Sequence, residues 1–148
     1  MDTIDRKILD LLQDDGRTTV LQIAKRVNLS SPSVCERLKK LHSRGYIKKY
    51  VAILDEKKLG KQATAFVHVS IKYPKYFPGF ISRIREFPEV LECHRTTGNH
   101  SCILKVRVED TEALDRLLTG KIGEIEGVTN ATTEMVLSTI KEETKLNL

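Results

Sequence analysis

The stretch from Leu29 to Ile47, LSSPSVCERLKKLHSRGYI, decides the fold of the N-terminal region. Ser31 followed by Pro32 predicts the start of a helix, because serine caps helix N-termini and proline fits the first helical turn. Gly45 predicts the end of this helix. Three apolar residues repeat at helical spacing in between and form the stripe expected to be buried: Val34, Leu38 and Leu41.

Two shorter helices are predicted before this one. The first has Asp2 as its N-cap and carries an apolar stripe at Ile4, Ile8, Leu11 and Leu12. The second begins near Thr19, with Gln22 at the spacing of a capping box, and ends at Asn28, a residue that tolerates the left-handed conformation. The second and third helices with their short turn predict a helix-turn-helix, and residues 46–54 predict the strands of a wing.

Positive charge is concentrated in this part of the chain. Residues 1–60 contain 13 Lys and Arg against 8 Asp and Glu, whereas residues 61–148 contain 12 of each. Between Lys25 and Lys49, eight basic residues stand against one acidic residue, Glu36. A field of this sign attracts a polyanion such as DNA, although the solvated face of an ordinary three-helix bundle has the same composition.

The third helix predicts how DNA is contacted. A helix of this kind fits the major groove, and an arginine side chain there matches the O6 and N7 atoms of guanine. Four residues outside the apolar stripe follow one another at helical spacing: Ser33, Arg37, Lys40 and Arg44. The full set predicted to bind double-stranded DNA is Ser31, Ser33, Glu36, Arg37, Lys40, Arg44, Lys48 and Lys49.

Beyond a charged linker at residues 55–61, the pattern changes to that of an α+β domain. Six elements are predicted: strand 63–71, helix 77–87, strand 90–96, strand 102–108, a helix from Asp110 to Ile122 and strand 128–140. This βαββαβ order predicts a ferredoxin-like αβ-sandwich with both helices on one face of an antiparallel sheet. The predicted domains are therefore residues 1–60, a winged helix-turn-helix with its linker, and residues 61–148.

The other face of the predicted sheet has no helix to cover it. Phe66, Ile103 and either Met135 or Val136 are expected there among polar neighbours. An open apolar sheet face usually finds a partner, so the sequence predicts that the chain forms dimers with itself.

With these motifs, the chain resembles the feast/famine, or Lrp/AsnC, family of transcriptional regulators. The resemblance extends over essentially the whole chain and rests on Asp5-Arg6-Lys7-Ile8-Leu9, Gly16-Arg17, the stretch from Leu29 to Leu41, Gly45-Tyr46-Ile47, Leu59-Gly60 and Thr97-Gly98. It implies a sequence-specific DNA-binding regulator whose C-terminal domain responds to a ligand. It further implies dimers that assemble into octamers, and amino acids as common effectors.

The resemblance also places an effector site and shows a departure there. The family's hairpin usually reads Gly, any residue, an aromatic residue and then Asp, whereas this chain has Gly98-Asn99-His100-Ser101. The missing carboxylate predicts weak amino-acid binding, a different ligand or no ligand. The candidate effector residues are Gly98, Asn99, His100, Ser101, Glu134, Met135 and Val136, of which Glu134 is the candidate replacement for the missing charge.

Other classes of function find little support in the sequence. Cys93, His94, His100 and Cys102 flank one hairpin, but strand alternation sends His94 to the opposite face, so no metal site is expected. The chain has no phosphate-binding glycine loop and no Ser/His/Asp set that can be placed together. An enzyme and a stand-alone amino-acid-binding module are therefore the weaker alternatives. No cofactor is expected either.

The location of the protein is predicted from its start and its hydropathy. The N-terminus is acidic and lacks the basic start and apolar run of a signal peptide. No run of apolar residues approaches the roughly 20 that a membrane span needs. We therefore expect a cytoplasmic protein that does not enter membranes.

Overall fold

The computed structural model describes residues 1–148, which form two compact units. The first unit comprises Met1–Ile53 together with Lys141–Leu148, and the second comprises Leu54–Ile140. The last eight residues thus pack in the N-terminal unit, where the side chain of Gln13 bonds the backbone of Leu146 in both directions. The assignment of 1–60 and 61–148 as the two domains stays a prediction.

Three helices form the first unit: α1 (Thr3–Asp14), α2 (Val20–Val27) and α3 (Ser31–Ser43). The predicted caps of α1 and α2 are confirmed, since Asp2 and Thr19 each exchange reciprocal hydrogen bonds with the residue three positions later. Asn28 ends α2 in the left-handed region, with φ 55° and ψ 49°. The helices enclose a small core of Ile8, Leu9, Ile23, Ala24, Val34 and Leu41.

The start of α3 differs from the prediction by one residue. Ser30, with extended backbone at φ −73° and ψ 152°, is the N-cap, and its hydroxyl accepts a hydrogen bond from the Ser33 N–H. Ser31 is therefore the first helical residue, and Pro32 is the second. Both serines can serve as caps, and the backbone turn after α2 decides which of them is still extended.

The predicted wing strands are wrong for this structure. Residues 46–54 contain no strand, and Val51, Ile53 and Leu54 are exposed. An isolated two-stranded hairpin is only marginally stable in water, and the sheet of the second unit adds no strand from this segment. Ile47 packs against the core of the first unit, and the Tyr50 ring lies 5.5 Å from that of His42, so apolar residues of this segment contact the helices without pairing as strands.

The second unit has the predicted βαββαβ order. Its elements are β1 (Ala63–Ile71), α4 (Phe77–Arg85), β2 (Val90–Arg95), β3 (Cys102–Val108), α5 (Thr111–Leu117) and β4 (Val128–Met135). A short 3-10 turn precedes α4, and a π-helical turn, Leu118–Ile122, extends α5. The sheet is antiparallel with strand order β2-β3-β1-β4, which confirms the ferredoxin-like sandwich.

Alternation along the central strands separates a buried face from an open one. On the buried face, Val67 and Leu104 of the sheet lie in one core with Phe80 of α4 and Leu117 of α5. On the open face, His68 is paired with Ile103, and Phe66 with Lys105. Both helices thus cover the same side of the sheet, as the sequence predicted.

The last strand is shorter than predicted, because it ends at Met135 rather than at residue 140. Met135 is paired with Ala65, and the Val136 N–H bonds the Thr64 carbonyl. Directly paired residues share a face, which puts Met135 on the side of the buried Ala65 and Val136 on the open side.

Candidate DNA-binding surface and effector cavity

The basic row on α3 flanks the buried stripe and is not opposite to it. Val34 and Leu41 are buried. At about 100° per residue, the row that contains Arg37 and Lys40 lies roughly 90° around the helix from this stripe. The row faces a groove of about 600 Å³ that also borders the N-terminus of α1. The groove is lined by Met1, Asp2, Asp5, Ser33, Glu36, Arg37, Lys40, Leu41, Arg44 and Tyr46.

Arg37 is held by two carboxylates across this groove. Its Nη1 atom lies 2.7 Å from Oδ2 of Asp2 and 2.7 Å from Oδ1 of Asp5. The hydrogen bond to Asp2, and to a smaller extent the one to Asp5, raises the pKa of the Arg37 guanidinium. The pKa of Asp2 is lowered, first by the hydrogen bond from the Asp5 backbone and next by the one from Arg37. Arg37 therefore ties α3 to the start of α1.

The other predicted DNA-binding residues differ in their exposure and in whether they are bonded to another side chain. Lys40 bonds Glu36 one turn earlier at 2.8 Å, and this bond lowers the pKa of Glu36. The Ser33 hydroxyl lies 2.8 Å from that of Ser30. Three further basic residues at and after the end of α3 are exposed: Arg44, Lys48 and Lys49. Ser31 is half-buried.

The hairpin between β2 and β3 is closed by its own hydrogen bonds. The Thr96 N–H bonds the Ser101 carbonyl, and the Thr96 hydroxyl bonds the His100 carbonyl, each at 3.2 Å. Gly98 adopts φ 119°, a conformation that L side chains rarely take. The Ser101 N–H bonds the carbonyl of Val69 at 2.8 Å, so the hairpin is fixed to β1.

A cavity of about 530 Å³ lies beside this hairpin. It is lined by His68, Arg95, Thr96, Thr97, Asn99, His100 and Ile103. The imidazole rings of His68 and His100 lie side by side, with centroids 5.1 Å apart. Nδ1 of His100 is 3.3 Å from the Ser70 hydroxyl, which leaves its Nε2 atom for other partners. The guanidinium of Arg95 lies 4.6 Å from the ring centroid of Phe77.

Two of the seven predicted effector residues line this cavity, Asn99 and His100. Ser101 does not, since its hydroxyl oxygen accepts a hydrogen bond from the Ile71 N–H at 3.0 Å. Glu134 lies outside the lining as a 72% exposed side chain whose Oε2 atom is 3.7 Å from Nε2 of His68. The remaining predicted residues that do not line the cavity are Gly98, Met135 and Val136.

Five residues that line the cavity were not predicted from the sequence: His68, Arg95, Thr96, Thr97 and Ile103. Strand alternation already placed His68 and Ile103 on one face. Alternation does not give the strand register, and it is the register that makes His68 the direct partner of Ile103, close to the base of the hairpin.

Cys93 and Cys102, beside the hairpin, are diagonal neighbours on paired strands. Cys93 is paired with Leu104, and Cys102 with Arg95. Burial raises the pKa of both thiols, that of Cys102 to about 11. The chain holds no group of three or more His, Cys, Asp and Glu side chains arranged to bind a metal ion.

These two units define a class of protein, a DNA-binding regulator with a separate ligand-binding domain, and comparison with known families agrees. Residues 1–48 match a model for winged helix-turn-helix DNA-binding domains. Residues 64–146 match the model for the Lrp/AsnC ligand binding domain. The chain therefore belongs to the Lrp/AsnC family and is a DNA-binding transcriptional regulator.

Known proteins match over nearly the full length. The HTH-type transcriptional regulator FL11 of Pyrococcus horikoshii is 38% identical, covering 99% of this chain and 95% of its own. The leucine-responsive regulatory protein of Escherichia coli is 33% identical, covering 99% and 90%. A transcriptional regulator of Neisseria meningitidis, solved as a complex with L-methionine, aligns with a TM-score of 0.95 at 33% identity, covering 99% and 96%.

A further solved structure matches as well. The feast or famine regulatory protein of M. tuberculosis, complexed with L-methionine, has a TM-score of 0.91 at 30% identity, covering 98% of this chain and 97% of its own.

In the present protein, no helix is both long enough and apolar enough to span a bilayer.

Proposed function

We propose that this regulator binds operator DNA through α3 and the basic segment that follows it, as a homo-oligomer whose affinity responds to a small molecule at the hairpin cavity. The observation that carries the proposal is the group of exposed cations at and beyond the C-terminus of α3. Arg44 ends α3, and Lys48 and Lys49 follow it within the first 60 residues, which hold the whole net charge of the chain.

The proposed DNA contacts fall into two kinds. Ser31, Ser33, Glu36, Arg37 and Lys40 accompany the part of α3 that enters the major groove, where side chains meet base edges. Arg44, Lys48 and Lys49 contact phosphates, because they are cations with exposed side chains. Arg37 reaches DNA only by exchanging the carboxylates of Asp2 and Asp5 for a phosphate or a guanine.

The open face of the sheet supports self-association. Phe66 is 38% exposed there and lies in one layer with Ile103 and Val136. A C2 dimer that stacks two such faces would cover these residues, and further contacts between dimers would build the octamer that the family resemblance implies. We propose no catalytic activity. The proposed location is the cytoplasm, where the chromosome of a bacterium or archaeon lies.

Self-association is tested by sedimentation velocity of the full chain with Phe66→Lys. We expect the dimer to dissociate, because the new charge would be buried between two sheets. Ile81→Lys is the matched control, since Ile81 is exposed on α4, at the helix side of the same unit. Equal sedimentation of both variants and the wild type would place the contact elsewhere.

The DNA-binding surface is tested with the double variant Lys48→Ala/Lys49→Ala. Removing two phosphate contacts should lower the slope of log affinity against log salt by about two. Lys57→Ala/Lys58→Ala, with two exposed lysines outside the first unit, is the control for the lost charge. Fluorescence anisotropy with a labelled operator measures both, and equal slopes would remove residues 48 and 49 from the interface.

A further inference from the structure

Two cysteines lie beside each other on the helix side of the sheet. Cys93 on β2 pairs directly with Leu104 of β3, and directly paired residues share a face. Leu104 is fully buried in the core under the helices, and Cys102 belongs to the same core with 2% exposure. A side-chain hydrogen bond joins the two thiols. The pair therefore lies away from the open sheet face that the proposed dimer covers.

The two thiols differ in their access to solvent. Cys93 is exposed on β2, which is an edge strand of the sheet, whereas Cys102 is buried. Burial raises the pKa of both thiols, that of Cys102 to about 11. A dissolved oxidant therefore reacts first with Cys93, because oxidation of a cysteine depends on exposure and on thiolate character. Cys102 is then the neighbouring thiol that can react with the oxidised Cys93.

We propose that Cys93 and Cys102 form a reversible disulfide when the protein meets hydrogen peroxide. The Cys93 sulfur attacks the peroxide, so that an S–O bond forms, the O–O bond breaks and one water leaves with the thiol proton. The Cys102 sulfur then attacks the sulfenic sulfur of Cys93, so that the S–S bond forms, the S–O bond breaks and a second water leaves. The two thiols together lose two electrons, and one peroxide molecule is reduced to two waters.

Closing this bond requires a small movement of β2. Diagonal neighbours on antiparallel strands have Cα atoms about 7–8 Å apart, whereas a relaxed disulfide spans about 4.4–6.8 Å. β2 can move because it pairs only with β3, and its register shifts between Val90 and Glu92. A disulfide closed against the β2–β3 hydrogen bonds is more easily reduced than a relaxed one, so the bond is reversible. The movement reaches the hairpin that directly follows β2.

The test is oxidation of the full-length protein with hydrogen peroxide, followed by digestion and mass spectrometry without reduction. Trypsin cleaves after Arg85, Arg95 and Lys105, so it separates the two cysteines. We expect the peptides 86–95 and 96–105 to appear as one linked pair, about 2 Da lighter than the sum of the two free peptides. The oxidised chain should migrate as a monomer on a denaturing gel without reductant. Unlinked peptides, or links between two chains, would overturn the proposal.

Three variants separate the roles of the thiols. Cys102→Ala keeps a small apolar side chain in the core and should leave Cys93 as a sulfenic acid that dimedone traps. Cys93→Ala should give neither linked peptides nor a dimedone adduct, because Cys102 is buried. Cys35→Ala is the matched control, since Cys35 is an exposed thiol on α3 in the first unit, and it should form the link as the wild type does. Trapping of Cys102 but not of Cys93, or a link that needs Cys35, would overturn the assignment.

Reversibility is measured by adding an excess of reduced glutathione to the oxidised protein. We expect the linked peptides to disappear and both thiols to become available to alkylation, because a disulfide that is easily reduced exchanges with the glutathione pool. A bond that persists in glutathione and opens only with a phosphine reductant would overturn its proposed reversibility.

Discussion

The two units differ in the size of their cores, in their net charge and in how much of their structure follows from local sequence motifs. The N-terminal unit holds a small core of three short helices, and its caps and ion pairs are made at the surface. The C-terminal unit is neutral in its sequence and holds a core more than twice as large between a sheet and two helices. Local motifs therefore describe the first unit well, whereas the second depends on how distant strands pair.

The largest effect is expected from a core truncation in the C-terminal unit. Phe80 is fully buried, so Phe80→Ala should lower the free energy of unfolding by about 3–5 kcal/mol. Urea unfolding followed by circular dichroism measures this change. Ile81→Ala, at the exposed neighbour on α4, is the control and should cost far less. Similar losses for the two variants would show that the core is not where the structure has it.

Arg37→Ala is expected to weaken operator binding roughly ten- to 100-fold if the side chain reads a base. The structure adds that the variant also frees Asp2 and Asp5, whose uncompensated charges then face the DNA. Anisotropy titration of operator and of random duplex separates these effects. A loss confined to the operator indicates base reading, and a uniform loss indicates repulsion. Unchanged affinity for both would remove α3 as the recognition helix.

Removing a helix cap of the N-terminal unit should change the free energy of unfolding by less than Arg37→Ala changes the free energy of operator binding. Thr19→Ala removes the side chain that accepts from the Gln22 N–H, and caps of this kind contribute about 1 kcal/mol. Asp110→Ala removes the corresponding cap of α5 in the other unit. Thermal unfolding should therefore shift by similar amounts for both. A shift for only one variant would show that the two caps do not contribute equally to stability.

The smallest effect is expected on the affinity for random DNA when Arg37 loses one of its two carboxylate partners. Asp5→Asn removes one of its two carboxylate partners, so affinity for random DNA should rise by about threefold, as the gain of less than one phosphate contact would give. Asp10→Asn changes the net charge equally on the same helix, away from Arg37. If the two variants bind random DNA equally, net charge alone sets the effect and the ion pair is not a restraint.

Features that depend on neighbours in sequence were predictable. The reciprocal cap of Thr19 and Gln22 and the left-handed Asn28 follow from residue types three positions apart or fewer. The βαββαβ order followed from the change in hydrophobic period after residue 60. The choice of Ser30 over Ser31 as the cap did not follow, because both residues have the same side chain.

Features that depend on pairing were not predictable. β4 ends at Met135, where the pairing with β1 stops at Ala65. The contact of Arg37 with Asp2 joins residues 35 positions apart. His68 entered the cavity lining through its register with Ile103, which no local pattern encodes. Ser101 could be recognised as a departure from the family pattern, but its bond to Ile71 could not.

We propose that the cationic surface of the N-terminal unit selects particular DNA sequences. The direct test is competitive retention of genomic fragments by the full-length protein at about 0.15 M salt, with random DNA in excess. We predict that a few fragments persist against about a 1,000-fold excess of random DNA, the lower end of specificity for such regulators. Equal displacement of all fragments would contradict the account.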